Sequence, residues 1–140
     1  MIKKSFTINP NRTIDEIRSY KKLLVLGIYQ GCEIFFPYNK TKEEQQIYLD
    51  GVKEYLEYTN EFICHLPYGG ENNLASYEKL DQTMKRIKDA IVFSSNLPIK
   101  KLTLHPGHLD GTLKYEEAFN LMIKNIKELC LFASSYGMTI

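Results

Sequence analysis

A chain of 140 residues suits one ordinary domain and can bury a real core. Its 44% hydrophobic and 25% charged content excludes a disordered polymer, and 18 Lys+Arg against 17 Asp+Glu, a net charge of +1, gives no electrostatic case for nucleic acid. No apolar run approaches the ~20 residues of a membrane span.

Met1-Ile2-Lys3-Lys4 leads into polar residues rather than an apolar signal core, so a cytoplasmic protein is expected. Ser5 to Asn9 then alternates Phe6 and Ile8 with polar neighbours and predicts a first strand, stopped by Pro10. Thr13 to Glu16 is a capping box that opens a helix with Ile14, Ile17, Leu24 and Ile28 on one face, ended at Gly27 or Gly31. Cys32 to Phe36 is the second strand. Thr41 to Glu44 is another capping box, and its helix continues through Leu49, Val52 and Leu56 to Asn60. Phe62 to His65 is the third strand. After Gly69-Gly70, the residues Leu74, Tyr77, Leu80, Met84, Ile87 and Ile91 form an amphipathic stripe that predicts a third helix, closed by Pro98. Ile99 to Leu104 is the fourth strand. The last helix runs from about Tyr115 to Tyr136, with Phe119, Met122, Ile126, Leu129 and Phe132 inward and Gly137 at its C-terminus. Met138-Thr139-Ile140 begins another strand.

Strands separated by helices pair in parallel through right-handed crossovers. Two architectures satisfy this order, an open doubly wound sheet and part of a (β/α)₈ barrel. The loop after the first strand, Asn9-Pro10-Asn11-Arg12, lacks the glycine fingerprint of the open sheet. Chemistry-bearing residues at successive strand exits favour the barrel, whose full form takes about 250 residues. The expected fold is therefore α/β of the (β/α)8 TIM-barrel type. The whole chain, residues 1–140, would form the N-terminal half-barrel fragment of a single domain, about four βα units plus the start of strand five.

All 3 histidines fall at two strand exits: His65 in His65-Leu66-Pro67-Tyr68, and His105 and His108 around His105-Pro106-Gly107. Neutral imidazole suits a metal or an acid–base site. His108, three residues after His105, would supply a third nitrogen or a substrate contact. Glu33 is a charge inside an apolar strand, and so faces the barrel mouth or reaches solvent at an end. Tyr68 has the shape to stack on a sugar or a base. Asp110 precedes Gly111 and reads as a turn former. Gly69-Gly70 lacks the Lys-Ser/Thr of a P-loop. Cys32, Cys64 and Cys130 are too far apart for a zinc finger and read as reduced, buried thiols of a cytosolic protein. Cys64 and His65 are strand neighbours and point to opposite faces.

The two exits, His65-Leu66-Pro67-Tyr68 and Leu104-His105-Pro106-Gly107, resemble those of the xylose-isomerase-like TIM barrels, the superfamily of sugar phosphate isomerases/epimerases and type 2 AP endonucleases. So do the strand Gly31-Cys32-Glu33-Ile34, and the helix from Glu116 through Ala133 leading to Tyr136-Gly137-Met138-Thr139-Ile140. The resemblance covers nearly the whole chain and implies a divalent metal, Zn, Mn, Mg or Co, at the barrel's C-terminal mouth. It matches His65 and His105 to histidines that bind or adjoin the metal in the endonuclease branch and often line the substrate pocket in isomerase members. They are the candidate metal ligands, and Glu33, Tyr68 and His108, read from their own positions, are the candidate substrate-binding residues. The catalytic carboxylates are expected beyond Ile140. The implied reaction is metal-assisted proton transfer through an enediolate in a sugar or sugar-phosphate isomerase or epimerase. The alternatives are a metal-dependent phosphodiesterase of the endonuclease IV type and a non-catalytic binding module. The expected partners are a small-molecule sugar or sugar phosphate, with a homodimer mate or the missing C-terminal half closing the sheet. Nucleic acid is less favoured and no membrane is expected.

Overall fold

The computed structural model describes residues 4–140; residues 1–3, part of the Met1–Lys4 stretch read above, lie outside the described residues. Four strands, β1 (Ser5–Ile8), β2 (Gly31–Phe35), β3 (Phe62–His65) and β4 (Lys101–Thr103), form a parallel sheet in the order β1-β2-β3-β4. The order follows the chain without the reversal of a doubly wound sheet, as in the wall of a barrel. Thr139 adds a parallel bridge to Lys101, where the fifth strand was predicted to begin.

Alternation divides the sheet into two faces. Ile8, Cys32, Ile34, Cys64 and Leu102 are buried and point toward the helices. Thr7, Glu33, Phe35, Ile63, His65, Lys101 and Thr103 share the other face and are exposed or half-buried. The core thus lies on one side only, where Val52, Tyr55, Ile87, Ile91 and Leu129 meet the strands. Burial pushes the Cys32 and Cys64 thiols up to about 12, but Cys130, expected to be buried with them, is half-buried on the last helix, Tyr115–Ser135. A thiol reagent at pH 8 is therefore expected to modify Cys130 alone in the native state, with Cys32 and Cys64 reacting only after unfolding. Release of three equivalents at one rate from folded protein would contradict this.

The helices are α1 (Ile14–Ser19), α2 (Lys21–Val25), α3 (Lys42–Lys53), α4 (Leu80–Ser94) and α5 (Tyr115–Ser135). Both predicted capping boxes form: Thr13 with Glu16, and Thr41 with Glu44. The first helix is not continuous. At Tyr20 the backbone tightens, its N–H reaching Ile17 and its carbonyl taking Leu23, and the chain restarts as α2. Gly27, at φ +68°, then ends it, so Ile28 lies outside the helix and is exposed. α3 gives way at Glu54 to a 3-10 turn (Glu54–Glu57) rather than running to Asn60. The stripe beginning at Leu74 enters its helix only at Leu80. Before that, the Asn73 and Ser76 side chains accept from the N–H groups of Ala75 and Glu78, in competition with helical pairing. Leu74 is buried all the same, in a loop, and Tyr77 is exposed. On α5, Phe119 is not inward: it is exposed and stacks on Tyr115, while Ala118, Leu121 and Asn125 take the buried face. Gly137 closes α5 at φ +70° as predicted. Among the described residues, no helix is long and apolar enough to cross a membrane.

Candidate functional site

Parallel pairing brings the strand exits side by side. Phe35 and His65 are register partners at the ends of β2 and β3, and their rings stack at 4.7 Å. His65 also pairs with Thr103 of β4, and two residues further along that strand direction stands His105. The two imidazoles meet there, with ring centroids 4.9 Å apart and Nε2 atoms 3.1 Å apart. The other nitrogen of His65, Nδ1, lies 3.0 Å from the Leu66 carbonyl. A carbonyl oxygen only accepts, so Nδ1 carries the proton and the lone pair of neutral His65 is on Nε2.

Tyr68 closes the group, edge-on to His65 at 4.7 Å and stacked on His105 at 5.2 Å. Phe35, His65 and Tyr68, but not His105, also line a groove of about 390 Å³ with Asn9, Asn11, Tyr38 and Asn39 from the loops after β1 and β2. The sequence reading missed Phe35 and these three asparagines. Their signal was available in form: each lies at or just past a strand end, beside Pro10 or Pro37.

The remaining candidates are placed elsewhere. Glu33 shares the face of Phe35 and His65 but sits in mid-strand, opposite Thr7 and Ile63, where its Oε2 accepts from the Thr7 hydroxyl at 3.3 Å. His108 makes no ring contact with the other histidines; it borders a separate small cleft with Glu71, Lys79 and Asp110. Its backbone is held there by Asn73. Asp110 accepts from the hydroxyl and N–H of Thr112, the turn role read from the sequence. The hydroxyls of Ser76 and Thr112 hold its carboxyl down at about 2. The folded value lies below the ordinary 3.8, so these bonds are complete above that pH and are lost as pH falls through about 2. The Thr112 amide resonance is therefore expected to titrate with a midpoint near 2 rather than near 4.

Among the described residues, no group of three or more His, Cys, Asp or Glu side chains is gathered to hold a metal. The His65–His105 pair offers two nitrogens. At the ~2.0–2.1 Å bond length of zinc to imidazole, two ligands on one ion stand about 2.9 Å apart at a right angle and about 3.3 Å apart at the tetrahedral angle. The observed 3.1 Å is a hydrogen bond between the two rings, and the same separation lies between these two values.

The family described as xylose isomerase-like TIM barrel matches residues 22–140. Among solved structures, the chain is similar to a D-tagatose 3-epimerase-like protein (TM-score 0.72, 21% identity, covering 98% of this chain and 51% of that one). It is also similar to an AP endonuclease, family 2, from Brucella melitensis (TM-score 0.69, 16% identity, 99% and 54% covered). A third is a D-psicose 3-epimerase from Clostridium cellulolyticum H10, crystallised with D-tagatose (TM-score 0.69, 12% identity, 98% and 50% covered). At these identities the likeness is one of fold, and the chain spans about half the length of each structure. No curated protein sequence matches it.

Proposed function

The chain belongs to the xylose isomerase-like TIM barrel family, and we propose that it supplies the His65–His105 side of the active-site mouth in a sugar or sugar-phosphate isomerase or epimerase. The observation that carries this reading is the meeting of two imidazole Nε2 atoms at 3.1 Å on the C-terminal edge of a parallel sheet, where such barrels place their chemistry. His65 and His105 would hold a divalent ion, which supplies Lewis-acid stabilisation of negative charge on a substrate oxygen. Phe35 and Tyr68 pack the two rings in place. The groove asparagines offer amides to sugar hydroxyls. We assign the proton-moving carboxylates, and the remaining metal ligands, to the other half of the barrel. A small sugar or sugar phosphate is the proposed substrate.

Abasic-site phosphodiester cleavage is the second reading, supported by the same histidine pair and by the likeness to the Brucella AP endonuclease. Turnover of a ketose panel by the completed barrel, without cleavage of an abasic duplex, is the expected result; the reverse would replace the first reading by the second.

The metal assignment is checked on this chain by calorimetry with Zn²⁺ and Mn²⁺. Two nitrogens alone make a weak site, with dissociation constants expected on the order of micromolar or weaker, and His65→Ala or His105→Ala should remove the binding. Binding that survives both substitutions would show that the pair is not the ligand set.

A further inference from the structure

A single buried side chain laces together the loops after β3 and β4. Asn73 is 5% exposed. Its Nδ2 donates to the His108 carbonyl at 2.8 Å, and its Oδ1 accepts from the N–H groups of His108 and Ala75 at 3.1 and 3.0 Å. One amide thus meets both backbone groups of His108, as a neighbouring strand would. Beside it, the Leu74 N–H donates to the Pro106 carbonyl at 3.3 Å. Asn125, buried on α5, donates to the Leu74 carbonyl at 2.9 Å and anchors this seam to a helix.

His105 lies between two fixed points, Thr103 in the sheet and the Pro106–His108 seam. His65 needs no such help, because it is in the sheet itself and the next N–H, of Leu66, donates to Thr103 at 2.9 Å. We propose that Asn73 is the positioning residue of the histidine pair: it holds the Pro106–His108 loop against the β3 exit, so that His105 Nε2 meets His65 Nε2. Its own hydrogen bonds go to backbone and not to either ring, so it acts through the loop. The role matters because of the reading of the pair as a site, but its test does not need a metal.

The test is NMR of the labelled chain, reading the nuclear Overhauser effect between the Hε1 protons of His65 and His105, with Zn²⁺ titration in parallel. In the unmutated chain the inter-ring signal is expected, and the His108 amide should exchange at least about a hundredfold slower than an unprotected one. Asn73→Ala is expected to abolish the inter-ring signal and weaken Zn²⁺ by roughly tenfold or more, with the far-ultraviolet dichroism unchanged. Asn73→Asp keeps the two acceptor bonds and loses the donor, and should fall between. A folded Asn73→Ala protein with the inter-ring signal and Zn²⁺ affinity intact would overturn the proposal. If Asn73→Ala does not fold, Asn73→Asp decides, because it removes the donor bond to the His108 carbonyl: an inter-ring signal and Zn²⁺ affinity unchanged from the unmutated chain overturn the proposal, and a weakened inter-ring signal supports it. A chain that binds no Zn²⁺ yet shows an Asn73-dependent inter-ring signal would remove the metal assignment and leave the positioning role standing.

Discussion

Gly107→Ala is expected to cost the fold about 2–6 kcal/mol, enough to remove much of the stability of an ordinary domain. Two terms add. Gly107 has φ +114°, a region held almost only by glycine, where a side chain costs about 1–3 kcal/mol. The new Cβ would also run into Asn73 Oδ1 and stand 3.0 Å from the Leu74 nitrogen. Neither neighbour gives way cheaply, since the Asn73 amide is committed at both ends and the Leu74 N–H is bonded to Pro106. Such overpacking costs about 1–3 kcal/mol. At a compatible φ the same change would stabilise by about 0.4–1 kcal/mol through the unfolded chain, so even the sign is informative. Urea unfolding followed by circular dichroism measures it. A loss below about 1 kcal/mol would show that the loop rearranges freely.

Leu66→Ala is expected to cost about 2–5 kcal/mol, the range for deleting a buried leucine side chain. Leu66 is 0% exposed and faces the core, although its neighbours His65 and Pro67 border the mouth. Its backbone bonds, from its N–H to Thr103 and to its carbonyl from His65 Nδ1, survive the substitution. Stability should therefore fall while the histidine pair stays together. Tyr68→Ala should do the opposite. Tyr68 is 49% exposed, so its loss should cost under about 1 kcal/mol, yet it removes ring contacts with both histidines. Denaturation midpoints and the histidine ring resonances of the two variants, read together, separate core from mouth. Equal stability losses would contradict this division.

Where local chemistry decides the structure, the sequence was legible. Thr13 and Thr41 announced their caps, the period-two pattern separated Cys64 from His65, and the Pro-interrupted strand ends located the two histidines that meet. Errors arose where a side chain or a distant segment overrode the local pattern. The Leu74–Tyr77 stripe has helical spacing, but Asn73 and Ser76 divert the backbone N–H groups that a helix would use. Phe119 has the right spacing for the core, yet it lies on the exposed side of α5 against Tyr115. His108 is three residues from His105, but Asn73 holds its backbone from 35 positions away, and no local pattern records that pairing. Phe35 was read only as a strand residue, because its role depends on register with His65.

The Leu66 carbonyl gives the histidine pair a direction. With its proton fixed on Nδ1, neutral His65 presents a lone pair on Nε2, so the proton in the 3.1 Å contact belongs to neutral His105. The two rings therefore stand in opposite tautomers. Under the proposed metal role, His65 already has its Nε2 lone pair free, while His105 would first have to move its proton from Nε2 to Nδ1 by exchange through solvent. If the pair holds an ion as proposed, its occupation would be a two-stage event, with a ready first ligand and a second that waits on the relocation of its proton. Solvent isotope substitution should slow that second stage.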